Sequence, residues 1–178
     1  MLWQLPLDQA GQPTASTIKT IYITRHAQSD PALPGQRDFD RPLGPRGLHD
    51  APMMARRFAE RNVPLDAMIT SPANRTRTTA HAFAQVMGNI PVEQVRDLYG
   101  ADVNTLMSVL NALPDKLGSV MLVGHNPGVS ELAEHLAAGG PGHFPPCTTA
   151  CILLHVEHWA DVRAGSGTLA WWDSPKGH

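Results

Sequence analysis

ITRHAQSD, residues 23–30, is the stretch on which the reading of this chain turns. An apolar run from Ile18 to Ile23 reads as a strand over Lys19–Thr24, and it stops at an arginine and a histidine. Strands commonly end in polar loops, so Arg25-His26 alone decides nothing. Its other meaning is an anion site, and the rest of the chain bears on the choice.

Two further strand ends repeat the pattern. Ala67–Thr70 reads as a short strand and runs into Ser71-Pro72-Ala73-Asn74-Arg75. Ser119–Val123 reads as a buried central strand and runs into Gly124-His125-Asn126. Helices fall between them. Pro45–Arg61 carries Leu48, Ala51, Ala55 and Phe58 at helical spacing, with Arg56, Arg57, Glu60 and Arg61 as a solvated face. Asn74–Met87 is closed by Gly88. Asp102 reads as the N-cap of a helix bearing Val103, Leu106, Leu110 and Leu113, and Pro127 opens a helix to about Ala138. Pro91–Val95 reads as an edge strand, and Ala150–Val156 with Thr168–Trp172 as a closing antiparallel hairpin. Residues 29–44 and 139–146, rich in Pro and Gly, read as surface loops.

Strands alternating with helices predict an α/β fold, a three-layer αβα arrangement on a mostly parallel sheet. In such sheets ligands bind beyond the carboxyl ends of the strands. The three polar strand ends would then share one rim, placing Arg25, His26, Arg75 and His125 around one pocket. That set suits a phosphoryl group. Guanidinium forks match phosphate oxygens, helix N-termini after Ser71 and Asn126 add backbone donors, and a neutral imidazole can attack phosphorus.

The bounds agree with an ordinary globular protein. The 178 residues suffice for one domain, read as 18–178 after an N-terminal arm of residues 1–17 whose Trp3, Leu5 and Leu7 are candidates to pack on it. A net charge of -2 gives no footprint for nucleic acid or a membrane surface. The arm lacks the pattern of a signal peptide, so the expected compartment is the cytoplasm. Cys147 and Cys151 read as two reduced thiols, and His155 and His158 lack the framing of a zinc site.

Taken together, TRHAQS, DRPLGPRG, ITSPANRTRTTA, VGHNPG, TTACILL and GTLAWWDSP resemble the histidine phosphatase superfamily, which includes phosphoglycerate mutases and acid phosphatases. The resemblance is greatest to its small SixA-type phosphohistidine phosphatases and spans about Ile18 to Pro175. It implies a phosphoglycerate mutase-like fold with His26 as nucleophile and Arg25, Arg75 and His125 holding the phosphoryl oxygens. Arg77 is the rival of Arg75, but the S-P-x-x-R spacing selects Arg75. Asn126, as a substrate-binding group, and Thr79 are candidates for supporting hydrogen bonds. Asp40 and Arg41 would brace the loop over the site. No metal or cofactor is implied. RHA in place of the wider family's RHG puts Ala27 beside the nucleophile.

One role is unfilled. Larger members use a carboxylic acid to protonate the leaving group, and the corresponding segment here, LYGADVNTL, offers only Asp97 and Asp102 nearby. Phosphohistidine expels an imidazole, whose conjugate acid has a pKa of about 6.5, so it needs less help than an alkoxide. The expectation is therefore hydrolysis of phosphohistidine on a protein, such as a histidine-phosphotransfer domain in signal transduction or a phosphocarrier, by a monomer. The alternatives are a phosphomonoesterase for a small metabolite or nucleotide and, less favoured, a non-catalytic phosphate-binding module or a mutase.

Overall fold

The computed structural model describes residues 18–177; the expected N-terminal arm, with Trp3, Leu5 and Leu7, lies outside the described residues. The elements are β1 Lys19–Arg25, α1 Pro45–Glu60, β2 Ala67–Thr70, α2 Asn74–Val86, β3 Val92–Gln94, α3 Val103–Asn111, β4 Ser119–Gly124, α4 Gly128–Leu136, β5 Thr149–Leu154 and β6 Gly167–Asp173. They build one sheet in the order β3-β2-β4-β1-β5-β6. The first four strands of that order are parallel, while β5 runs antiparallel to β1 and β6 antiparallel to β5.

The period of two along each strand produces the three layers. Ile21 and Ile23 of β1, with Val120 and Leu122 of β4, pack toward α3 and α4, against Leu106, Leu110, Leu132 and Leu136. Tyr22, Met121 and Val123 point the other way, toward Met54, Phe58, Ala80 and Phe83 of α1 and α2. β4 is buried along its whole length, as its central place requires. Each such large side chain removed from water contributes about 1.5–3 kcal/mol. The free thiols of Cys147 and Cys151 lie in the core on the α1/α2 side.

Three expectations need correction. Leu48 is 58% exposed, and the buried stripe of α1 instead starts at Gly47. A Cβ at Gly47 would lie 2.0 Å from the Gln28 carbonyl oxygen, so glycine lets α1 press against the chain just after His26. Arg57 and Arg61 are not simply solvated: both pair with the buried Asp173 of β6, and Arg61 stacks 3.9 Å over the Trp171 ring. α4 ends at Leu136, because Ala137 turns extended. The loop 29–44 lies mostly at the surface, as expected, and carries local order. It holds a 3-10 turn, Asp38–Asp40, and a bridge from Ser29 to the buried Leu43.

Candidate active site

Register fixes the rim. Arg25 pairs with Gly124 across β1 and β4, and Thr70 with Val123 across β2 and β4. The next residues, His26, His125 and Ser71, therefore leave the sheet at one level. The ladder continues through His26 N–H to Gly124 O at 3.1 Å and Ser71 N–H to Val123 O at 3.1 Å.

His26 is 7% exposed, and its Nδ1 lies 2.7 Å from the Ala27 carbonyl oxygen. A carbonyl only accepts, so Nδ1 carries the ring proton and Nε2 keeps its lone pair. Burial, reinforced by Arg75, Arg25 and Arg41, lowers the His26 pKa to about 4, against an opposing effect of the Ala27 carbonyl. The imidazole is thus a neutral nucleophile at neutral pH. Its backbone is held too: Ala27 N–H donates to Thr79 Oγ1 at 3.0 Å, and that hydroxyl donates to Arg75 O at 2.8 Å. Ala27 is fully buried and has no positive φ, so the methyl group next to the nucleophile carries no backbone strain.

The His125 ring stands 5.3 Å from that of His26, centroid to centroid. Its Nε2 is 2.8 Å from Ser71 Oγ, which already accepts Ala73 N–H at 3.3 Å and has its own proton to donate. In the tautomer where Ser71 donates to Nε2, the neutral ring carries its proton on Nδ1, a buried atom with no partner. Burial first, then His26 and Arg75, lowers the His125 pKa to about 3.

Arg25 donates from Nη1 to Phe144 O at 2.8 Å, while its Nε is buried without a partner. Asn126 shares that acceptor, donating from Nδ2 at 2.8 Å, and receives Ser130 Oγ at 2.5 Å; Ser130 in turn accepts Phe144 N–H at 2.9 Å. Asn126 thus ties the loop 139–146 to Arg25. Arg75 is 6% exposed and donates to Asp38 O at 2.7 Å and Asp38 Oδ2 at 2.9 Å. Arg77 turns away, its Nε bound to Pro72 O at 2.9 Å.

Sequence reasoning missed Asp38 and Tyr99. Asp38 Oδ2 accepts the Tyr99 hydroxyl at 2.7 Å and Oδ1 accepts Arg41 Nη1 at 2.9 Å. Tyr99 meets His125 edge-on at 5.6 Å. These bonds, Tyr99's foremost, hold the Asp38 carboxyl well below the usual carboxylate range, and the same contact raises the Tyr99 pKa. Arg41 braces the loop as expected, donating also to Asp30 O at 2.9 Å and Ser29 Oγ at 2.9 Å, whereas Asp40 pairs with the exposed Arg37. Asp102 caps α3 through Thr105 N–H at 2.9 Å. Asp97 lines a cavity with Ile69, Val95, Thr105 and Val109, none of them a site residue.

Among the described residues, three buried side-chain polar atoms have no partner: Arg25 Nε, His125 Nδ1 and Thr148 Oγ1. All three belong to this rim, since Thr148 O accepts Arg25 N–H at 3.0 Å. Each such atom costs about 1–3 kcal/mol, and an oxyanion could satisfy the two nitrogens.

Known proteins resemble this chain in sequence and in fold. Residues 21–107, which include Arg25, His26 and Arg75, match the family described as histidine phosphatase superfamily (branch 1). An uncharacterized protein of Mycobacterium tuberculosis is 34% identical over 163 residues, 85% of this chain and 99% of that one. A structure from Agrobacterium tumefaciens, assigned as phosphohistidine phosphatase SixA, is 29% identical and superposes with a TM-score of 0.75, covering 88% of this chain and 98% of that one. The protein histidine phosphatase SixA in complex with tungstate is 25% identical, with a TM-score of 0.72 over 88% of this chain and 97% of that one. The chain belongs to the histidine phosphatase superfamily.

Proposed function

We propose that the protein hydrolyses phosphohistidine on a protein substrate through a covalent phosphohistidine of its own. Family membership supports phosphatase chemistry, and the likeness to SixA structures supports the finer class. The reaction begins with His26 Nε2 attacking phosphorus in line while the substrate imidazole leaves. Arg25, Arg75 and His125 Nδ1–H stabilise the equatorial oxygens, where charge develops. Water then displaces His26 from phosphorus, releasing inorganic phosphate.

The observation that carries the substrate class is the state of the carboxylate at the site. Asp38, which binds Arg75, is ionised and committed as a hydrogen-bond acceptor, so it has no proton to give. Asp102 caps α3, and Asp97 lines a cavity that none of the site residues lines. A leaving alkoxide would need such a proton, and a leaving imidazole has a nitrogen basic enough to take one from solvent. A phosphomonoesterase is the second reading, and Tyr99 is the observation in its favour: its phenol keeps its proton and stands against His125.

The test is phosphate release from a phosphohistidine-bearing protein, with an aryl phosphate as ester control and His26→Ala beside the intact chain. The expected result is release from phosphohistidine at least about 100-fold faster in kcat/KM than from the ester, abolished in the variant, with an acid-labile, alkali-stable phosphoenzyme trapped on quenching. Release from the ester alone, lost in Tyr99→Phe, would establish the second reading instead.

A further inference from the structure

We propose that Asp38 is a specificity-determining residue, whose carboxylate disfavours phosphoryl compounds bearing a further negative charge on the leaving group. The proposal rests on reading the pocket as a phosphoryl site. His26 lies buried at its floor. In-line displacement puts the leaving group on the side of phosphorus opposite His26, which is the side open to solvent. Asp38 lies outward of Arg75, its side chain 51% exposed while the Arg75 side chain it pairs with is 7% exposed, so its charge bears on that open side.

The pairing leaves Arg75 competent. A guanidinium has five N–H groups, and Asp38 takes one from Nη1 and one from Nη2. The others can meet a phosphoryl oxygen with Asp38 still in place. The two arginines then face the phosphoryl dianion, and Asp38 presents a fixed negative charge to what lies beyond it. Its hydrogen bonds from Tyr99, Arg41 and Arg75 keep it ionised at any working pH. A carboxylate or second phosphate on the leaving group meets like charge at the mouth, whereas an imidazole, neutral or protonated, does not. Arg41, on the other carboxylate oxygen, offsets part of the field, so the discrimination is modest.

The experiment compares two ligands of similar size, glycerol 3-phosphate and 3-phosphoglycerate, which differ by one carboxylate. Dissociation constants are measured by calorimetry, independently of turnover. The intact protein should bind the carboxylate-bearing ligand about three- to fivefold more weakly. Asp38→Asn should bring the ratio to about one, and Asp38→Glu should restore it. If Asp38 merely props Arg75, Asp38→Asn weakens both ligands together and leaves the ratio unchanged, which overturns the proposal. Should Asp38→Asn not fold, the intact protein still decides. Raising salt from about 0.05 M to about 0.5 M must shrink a ratio set by a half-exposed charge, and a salt-independent ratio rejects it. Failure of both ligands and of inorganic phosphate to bind would bring down the phosphoryl-site reading, and the proposal with it.

Discussion

At the amino ends of the strands, the buried Lys19 donates to Asp115 O at 2.6 Å and Leu117 O at 3.2 Å. Leu117 O also accepts Trp159 Nε1–H at 2.7 Å, and Asp66 Oδ2 accepts both Gly118 and Ser119 N–H. At the carboxyl ends, Arg25 on the same strand is half-buried with its Nε enclosed and unpartnered, and His125 Nδ1 is unpartnered too. The two rims draw on similar residue types: cations, aspartates, histidines and a loop carbonyl. They differ in satisfaction. One end commits its polar atoms to the fold, and the other leaves some without a partner, as the proposed phosphoryl site requires. A cation at the end of a strand is thus informative only once its hydrogen bonds have been counted.

The sharpest way to break that contrast is to remove the cation from the open end. Arg25→Met should lower kcat/KM by about 100- to 1,000-fold, the size expected for losing a donor to developing charge. Its unfolding free energy should move by no more than about 1 kcal/mol, because only the Phe144 bond is lost and an unsatisfied Nε goes with it. Urea denaturation beside a phosphate-release assay reads both. A large loss of stability would show that Arg25 is as structural as Lys19.

The next effect is acid destabilisation. His26 and His125 have pKa values lowered to about 4 and about 3, whereas in the unfolded chain both titrate near about 6.5. Between these values the unfolded state binds more protons, so stability rises with pH across that window and these groups add no slope above it. For His26 alone the span amounts to about 3 kcal/mol. Urea midpoints at about pH 4.5, 5.5 and 7 should climb in that order, less steeply in His26→Ala. Equal midpoints would mean that the rings are not held neutral by the site.

Lys19→Met reverses the Arg25 experiment with a smaller effect. It strips two carbonyls of a charged donor and should cost about 2–3 kcal/mol of stability. Turnover should stay within about twofold, since nothing at that end touches the site. A fall in activity matching that of Arg25→Met would erase the distinction between the rims.

What could be read in the sequence was whatever lies next to a strand end. Arg25, His26, Arg75 and His125 each follow a short apolar run, and parallel topology alone gathers them. Asp38 and Tyr99 were not legible. The D-F-D of residues 38–40 offers two aspartates, and only the 3-10 turn packed against α2 turns Asp38, rather than Asp40, onto Arg75. Phe144 contributes a carbonyl, which no residue type announces. Leu48 fits the helical period of α1, and Ala51, Ala55 and Phe58 of the same stripe are buried, but at the first turn it is Gly47 that meets Gln28, which leaves Leu48 outside. Arg57 and Arg61 looked solvated because Asp173 lies more than a hundred residues away along the chain. Local pattern carries through an element and its end, and a partner brought by tertiary folding leaves no local mark.

The smallest effect is expected at Asp102, and it tests the contrast from the other side. This aspartate lies in the segment where a proton donor was sought, yet its carboxylate accepts Thr105 N–H at 2.9 Å, and the amides of that turn lower its pKa. A carboxylate stabilised by a helix N-terminus is ionised and points at its own backbone, so it serves the fold as Asp66 does. Asp102→Ala should lower the thermal midpoint slightly and leave kcat/KM unchanged for phosphohistidine and aryl phosphate alike. Asp102→Asn, which keeps an acceptor for Thr105 N–H, should recover most of the stability. A variant in which ester hydrolysis collapses while phosphohistidine hydrolysis survives would make Asp102 the missing acid. It would require the α3 N-terminus to swing toward Tyr99 and His125, and would move this turn from the satisfied part of the molecule to the working one.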